Sequence, residues 1–197
     1  QYKTAICSLN YNKEKPYELL FATMLSAQCT DKRVNIVTAD LFKSYLSLED
    51  FANANLCDIE QAIYTCGFYK TKAKNIIKTA KVLIEEYDGC LPKSLPELTK
   101  LYGVGEKTAN LIMGDIFHKP AIVCDTHCIR ISNRLGFTTN KAPNKVFNDL
   151  KKILPPEKSS DFCHRLVLFG REFCKSQKPL CSNCPLNNVC EQNLTLK

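Results

Sequence analysis

The stretch SLPELTKLYGVGEKTANLIMGDIF, residues 94–117, decides the fold of this chain. Ser94 precedes a short helical pattern, LPELTKL, and the turn GVG at 103–105 separates it from a second helical pattern, EKTANLIMGDIF. Glycine on both sides of Val104 lets the backbone turn tightly, so that the N–H groups at the start of the second helix point outward. The stretch predicts helix, turn and helix. It fits either an ordinary turn or one that holds a phosphate without side chains.

Lys107 stands in the first turn of the second predicted helix. A lysine is unfavourable there, because the N-terminal end of a helix prefers anions. The same positive field, together with partial burial, would favour the neutral amine that an amine nucleophile requires. Lys107 is therefore a candidate nucleophile, and an exposed surface lysine is the simpler alternative.

Asp125 lies 18 residues after Lys107, in the segment VCDTHCIRISNRL. It stands where an N-cap would for the helix that follows, and capping alone would explain an aspartate at this position. A carboxylate near an amine nucleophile would also stabilise a developing sugar cation or take up protons. The two roles can coexist in one residue.

Helical spacing dominates the rest of the sequence, which predicts an all-α fold. The segment PYELLFATMLSAQ is apolar nearly all round, as a buried helix is. Asp58 is expected to start a helix that ends at Gly67. Residues 70–88 form a long amphipathic pattern with lysines on one side, namely Lys70, Lys74, Lys78 and Lys81.

Four of the twelve cysteines lie close together near the C-terminus, with the spacing C-x6-C-x2-C-x5-C. Four thiolates from so short a segment favour a metal centre over disulfides. The remaining cysteines are scattered through apolar stretches, as small buried residues are in a reducing cytosol. Zinc and an iron–sulfur cluster both accept four thiolates, so spacing leaves the metal open. The four are Cys174, Cys181, Cys184 and Cys190.

Composition narrows the class of protein. The sequence has no run of 18 apolar residues and no signal-peptide pattern, so we expect a soluble, intracellular protein without membrane contact. The formal charge of +7 favours a polyanionic partner, although moderate positive charge is common.

The turn LYGVGEKTAN, the segment VCDTH and the cysteine quartet together resemble the endonuclease III family of DNA glycosylases, over essentially the whole chain. The resemblance implies two helical subdomains with the DNA-binding cleft between them. One, residues 9–119, is a helical barrel that carries a helix-hairpin-helix at about 95–117. The other, residues 120–197 joined by 1–8, carries a [4Fe-4S] cluster on the four cysteines.

The resemblance also implies roles for single residues. Lys107 matches the nucleophile and Asp125 the catalytic carboxylate. Gln28 matches the residue that fills the space left by a flipped nucleotide, and Phe68 stands where the family has an apolar wedge. Further DNA contacts are implied in the hairpin and the cluster loop, at Gly103, Gly105, Lys175 and Lys178.

The expected function is a base-excision repair enzyme that removes oxidised pyrimidines from duplex DNA and cleaves the abasic site by β-elimination. Its partner would be duplex DNA with damaged bases or abasic sites. A monomer in the cytoplasm, associated with the nucleoid, is expected if the source is bacterial or archaeal. Three alternatives remain: a non-catalytic helix-hairpin-helix module, a related glycosylase with another lesion specificity, and a redox or metal-sensing protein. Tyr102, Glu106 and His118 depart from the family pattern and leave the lesion specificity open.

Overall fold

The computed structural model describes residues 7–191. Within that range the chain forms ten α-helices and two short 3-10 segments, with no β-strand, which confirms the all-α prediction. No helix in this range is both long and apolar enough to cross a membrane. The chain divides into two compact units, of which the first is Cys7–Phe117 and the second begins at His118. Residues 1–8 were expected to join the second unit, and of these residues 1–6 lie outside the described residues.

The first unit is built around a buried helix. Every residue of α1 from Tyr17 to Leu25 is buried, because α1 packs against α2, α5 and α7. Burial of this kind matches the apolar sequence of the helix. The helices of this unit are α1 Pro16–Ser26, α2 Asp31–Ser44, α3 Leu48–Ala52, α4 Leu56–Ala62, α5 Tyr69–Tyr87, α6 Leu95–Leu98 and α7 Glu106–Asp115.

The expected bounds of α4 are wrong. Asn55 caps this helix by accepting a hydrogen bond from the N–H of Cys57 at 2.8 Å, so it begins before Asp58. It also ends well before Gly67, because Ile63 leaves the helical conformation and the chain turns toward α5. The bounds of α5 agree with the predicted amphipathic segment to within one residue at each end.

The second unit contains α8 Thr126–Arg134, α9 Pro143–Ile153 and α10 Ser159–Glu172, with 3-10 segments at Pro156–Lys158 and Cys181–Asn183. Helices α8 and α10 pack closely at Gly170. A Cβ atom at Gly170 would lie 2.4 Å from Nδ1 of His127, which leaves room there for glycine alone. This packing places the end of α10, and the cysteine loop that follows it, beside α8.

Candidate functional site

The predicted helix-hairpin-helix is present. Ser94 caps α6, and Glu106 begins α7 directly after the turn. Val104 is buried, whereas the glycines on either side of it are exposed. Gly103 has a φ of +74°, a conformation that side chains rarely adopt. The turn therefore exposes its glycine backbone while Val104 fixes it to the core.

Three residues on one face of helix α5 pack against this turn: Asn75, Lys78 and Thr79. A Cβ atom at Gly103 would lie 2.7 Å from Nδ2 of Asn75, so the turn rests directly on that side chain. One turn further along α5, Thr79 Oγ1 donates a hydrogen bond to the carbonyl oxygen of Tyr102 at 3.0 Å. Lys78 Nζ stands 4.9 Å from the ring centroid of Tyr102, a cation–π contact. The tyrosine that departs from the family pattern thus helps to hold the turn.

Lys107 is exposed in the first turn of α7. The N-cap of this helix is Gly105, which has no side chain to accept hydrogen bonds from the first N–H groups. The helix start thus presents backbone donors and a primary amine on one exposed surface. The sequence left open whether Lys107 is partly buried or exposed, and the structure shows it exposed.

Asp125 caps α8, as the sequence predicted. Its Oδ1 accepts a hydrogen bond from the N–H of Cys128 at 2.7 Å. No hydrogen bond to Oδ2 is made by residues 7–191, and the side chain is half-buried. One carboxylate can therefore cap the helix and still act on a bound molecule.

The thiols beside Asp125 are poor nucleophiles. A hydrogen bond with Cys128, followed by burial, raises the pKa of Cys124. The pKa of Cys128 is also raised: its bond with Cys124 lowers it, but the bond with Cys163 and burial outweigh that effect. Since only a thiolate attacks effectively, both thiols are inert at neutral pH.

Gln28 and Phe68 are exposed and share an unusual backbone conformation. Their φ values are 54° and 58°, in the left-handed region, and 67% of Phe68 is accessible to solvent. An exposed phenylalanine on a constrained backbone suits insertion into another molecule better than a place in the core. A Cβ atom at Gly67 would lie 3.8 Å from the carbonyl oxygen of Gln28, so the two segments adjoin.

Lys72 lies beside the Gln28 and Phe68 segments and was not predicted from the sequence as a site residue. It is 7% exposed, and its Nζ donates hydrogen bonds to backbone carbonyls near both Gln28 and Phe68. A signal was present in the sequence, since Lys72 lies one helical turn before the buried Ile76, on the apolar stripe of α5.

The four cysteines of the quartet line one pocket, of about 410 Å³ including space open to solvent. The pKa of Cys181 is raised, first by burial and then by the neighbouring thiols of the other three cysteines. The remaining wall is largely apolar, with residues such as Leu135, Phe169 and Leu186. Within residues 7–191, no three His, Cys, Asp or Glu side chains are grouped as ligands of a single metal ion.

Two arginines of α8 hold the cysteine loop. Arg130 donates to the carbonyl oxygen of Cys174 from Nε at 3.3 Å and from Nη2 at 3.0 Å. Arg134 donates to the carbonyl oxygens of Lys175 at 2.6 Å and Ser176 at 3.1 Å, and to Sγ of Cys174 at 3.3 Å. The side chains of Lys175 and Lys178 remain exposed. Helix α8, which Asp125 caps, therefore also anchors the loop that carries Lys175 and Lys178.

The predicted site residues fall into two groups. Gln28, Phe68, the hairpin glycines and Lys107 lie in the first unit. Asp125, the cysteine quartet and the two loop lysines lie in the second.

Comparisons with known proteins show the family of this chain. Residues 21–156 match the family model described as HhH-GPD superfamily base excision DNA repair protein. Endonuclease III of Bacillus subtilis is 44% identical over 189 residues, which cover 95% of this chain and 85% of that protein.

Two solved structures have the same fold as this chain. A non-covalent endonuclease III–DNA complex matches with a TM-score of 0.91 and 44% identity, over 97% of this chain and 89% of the other. A trapped endonuclease III–DNA covalent intermediate with an estranged adenine matches with the same TM-score, identity and coverage.

Proposed function

This chain belongs to the endonuclease III family of the HhH-GPD superfamily of base excision DNA repair proteins, and from that premise we propose which of its residues carry the reaction. The enzyme is a DNA glycosylase and abasic-site lyase: it removes oxidised pyrimidines from duplex DNA and cleaves the remaining sugar by β-elimination. Duplex DNA is its partner.

We assign the nucleophile to Lys107. Its neutral amine attacks C1′ of the damaged nucleotide, the C1′–N bond breaks, and the base leaves with the bonding electrons and takes up a proton. The attached amine then loses a proton, the C1′–O4′ bond breaks, O4′ takes up a proton, and a Schiff base forms between Nζ and C1′. Removal of a C2′ proton then expels the 3′ phosphate, and the strand is cut.

Asp125 is assigned the electrostatic and proton-transfer role in this sequence of steps. Positive charge develops on the sugar as the base departs, and the Oδ2 atom left open by the cap is a carboxylate oxygen that can stabilise it. The same atom can accept a proton from the attacking amine. Because Oδ1 is bonded to Cys128, the orientation of the carboxylate is fixed before DNA binds.

The observation that carries the assignment is the position of Lys107. It is an exposed amine in the first turn of a helix that has no side-chain cap, directly after a glycine turn. A phosphate bound at this helix start would place the adjoining sugar beside the amine. The thiols near Asp125 are protonated and do not compete. That a trapped covalent intermediate exists for a relative 44% identical to this chain supports a covalent mechanism.

We assign extrusion of the nucleotide to Gln28 and Phe68. Turning a nucleotide out of the stack costs a few kcal/mol, which a side chain in the vacated space and a wedge between base pairs repay in part. Exposure and a constrained backbone at both residues support these roles. The hairpin glycines and the exposed Lys175 and Lys178 are assigned to phosphates, where they would position the enzyme without reading sequence.

We propose that the cysteine quartet binds a [4Fe-4S] cluster. Cys174, Cys181, Cys184 and Cys190 line one pocket, and as thiolates they would supply the four sulfur ligands that such a cluster takes. All four positions would be occupied by protein, so the expected work of the cluster is to fix the loop that bears Lys175 and Lys178.

We propose that the protein acts as a monomer on the chromosome, which for a bacterial source means the nucleoid in the cytoplasm. The similarity to endonuclease III of Bacillus subtilis supports a bacterial setting.

The experiment that tests the assignment measures base release and strand cleavage on a panel of duplexes, each with one lesion, for the wild type and Lys107→Gln. We expect the wild type to release oxidised pyrimidines and cut the strand, and Lys107→Gln to do neither while still binding DNA. Salt-sensitive binding without base release by the wild type would instead favour the non-catalytic helix-hairpin-helix module.

A further inference from the structure

Lys72 is a charged side chain in the interior of the first unit. It is 7% exposed, whereas the other lysines of α5, at positions 70, 74, 78 and 81, are exposed. Its Nζ donates three hydrogen bonds to backbone carbonyl oxygens, of Leu25 at 2.8 Å, Ala27 at 2.7 Å and Cys66 at 3.4 Å. An ammonium has three protons, so this geometry satisfies every donor. Burial lowers the pKa of Lys72, an effect that the thiols of Cys66 and Cys29 oppose.

Two of these carbonyls belong to the end of α1. The last carbonyls of a helix have no partner within it and carry partial negative charge. The last turn of α1 contains no basic residue of its own. Lys72 supplies both the donors and the positive charge, from a different helix. The residue after Ala27 is Gln28.

The third carbonyl belongs to the segment before α5. Cys66 lies two residues before Phe68, which forms the N-cap of α5. Lys72 itself is one turn into this helix, and its N–H donates to the carbonyl oxygen of Phe68 at 3.1 Å. Lys72 therefore makes hydrogen bonds both to the segment that carries Phe68 and to the segment that carries Gln28.

Both segments need such support. A left-handed backbone at a residue other than glycine costs about 1–3 kcal/mol and persists only where surrounding contacts hold it. Gln28 and Phe68 both adopt it, and neither is held by burial, since both are exposed.

The geometry points to Lys72 as a positioning residue that fixes the Gln28 segment and the Phe68 segment relative to each other, so that both side chains enter the duplex together. The inference rests on the roles proposed above for Gln28 and Phe68. Because Lys72 orders both segments before DNA binds, ordering them costs no further free energy when the nucleotide leaves the base stack. The free energy of extrusion is therefore lower. The benefit is largest for a nucleotide whose base is still stacked and paired, and smallest for an abasic site.

The test compares Lys72→Met with Lys43→Met, the same substitution at an exposed lysine of α2. Single-turnover rates are measured for base release from a thymine glycol duplex and for cleavage of a duplex with a preformed abasic site. We expect Lys72→Met to slow base release by about tenfold or more and abasic cleavage by less than about threefold, with Lys43→Met unchanged. Equal slowing of both reactions, or no slowing, would overturn the inference.

A second comparison separates this inference from the proposed function. In a chain that carries Gln28→Ala and Phe68→Ala, adding Lys72→Met is expected to slow base release no further, since Lys72 acts through those two side chains. An additive loss would contradict the positioning role. If neither Gln28→Ala nor Phe68→Ala alone slows base release, the proposed roles of those residues fail. If they do slow it and Lys72→Met matches Lys43→Met, the inference on Lys72 fails alone.

Circular dichroism first establishes that each variant folds. Should Lys72→Met fail to fold, Lys72→Arg replaces it. A guanidinium keeps the charge but cannot place its planar donors on the three carbonyls that surround an ammonium. The same unequal slowing of the two reactions is expected, and equal slowing again overturns the inference.

Discussion

Lys72 Nζ lies 2.7 Å from the carbonyl oxygen of Ala27, the residue directly before Gln28. The contact ties helix α5 to the end of α1, and α5 also supports the hairpin turn through Asn75 and Thr79. With a rise of 1.5 Å per residue, Phe68 and Asn75 are about 10 Å apart along the helix axis. One rigid helix therefore sets the spacing between the proposed wedge and the turn that precedes Lys107.

The hairpin turn provides a matched pair of glycine variants. Gly103→Ala forces a side chain into a left-handed conformation and against Asn75. We expect a loss of about 1–3 kcal/mol in the free energy of unfolding. At Gly105 a Cβ atom meets nothing within 4 Å, so Gly105→Ala should cost clearly less, about 0.5–1 kcal/mol from the poorer N-cap. Urea unfolding measures both, and equal losses would mean that neither the left-handed backbone of Gly103 nor its contact with Asn75 constrains the turn.

Variants of Asp125 separate its two roles. Asparagine also caps helices well, so Asp125→Asn should leave the free energy of unfolding almost unchanged. It removes the negative charge, however, and base release should slow by about a hundredfold. Asp125→Ala should lose the cap as well, at a cost of about 1 kcal/mol. Single-turnover base release and urea unfolding give the two readouts, and full activity in Asp125→Asn would reduce Asp125 to a cap.

The proposed phosphate contacts of Lys175 and Lys178 predict how the affinity for DNA depends on salt concentration. Each phosphate contact contributes about 0.9 to the slope of log affinity against log salt concentration. If Lys175 and Lys178 each bind a phosphate, changing both to Gln should lower the magnitude of that slope by about two, equally for damaged and undamaged duplexes. The control is the pair Lys141→Gln and Lys158→Gln, two exposed lysines of the same unit. Equal effects in both pairs would show a general charge effect and no contact by the loop.

Cysteine variants test the cluster. Protein purified without oxygen should be brown, with absorbance near the boundary of the visible and ultraviolet, and should contain iron and acid-labile sulfide. Cys184→Ser should lose both the colour and the iron, whereas Cys57→Ser, at an exposed position of α4, should keep them. A colourless wild-type protein that contains zinc would contradict the assignment.

Much of this site could be predicted from the sequence because local rules decide it. The glycine turn before α7 and the N-cap at Asp125 each depend on a few adjacent residues. The structure confirms both of these predictions. The bounds of α4 could not be predicted as well, since Asn55 and Asp58 are both acceptable starting residues.

Tertiary contacts explain the remaining differences between the predictions made from the sequence and the structure. Lys72 was missed because a lysine is ordinarily exposed, and only the fold brings the carbonyls of Leu25, Ala27 and Cys66 to its ammonium. The sequence left the exposure of Lys107 open, and the structure shows an exposed side chain because the turn leaves the start of α7 open. Sequence spacing places Lys72 on the apolar stripe of α5, but it does not identify the carbonyl oxygens that Lys72 contacts.

The most direct test of the central claim is borohydride trapping followed by peptide mapping. Borohydride reduces a Schiff base to a stable amine, so incubation with a lesion-bearing duplex should link the enzyme covalently to DNA. We predict that mass spectrometry will find the sugar remnant on Lys107 and that Lys107→Gln will give no adduct. An adduct on another residue, or undiminished trapping by Lys107→Gln, would contradict the assignment of Lys107 as the nucleophile.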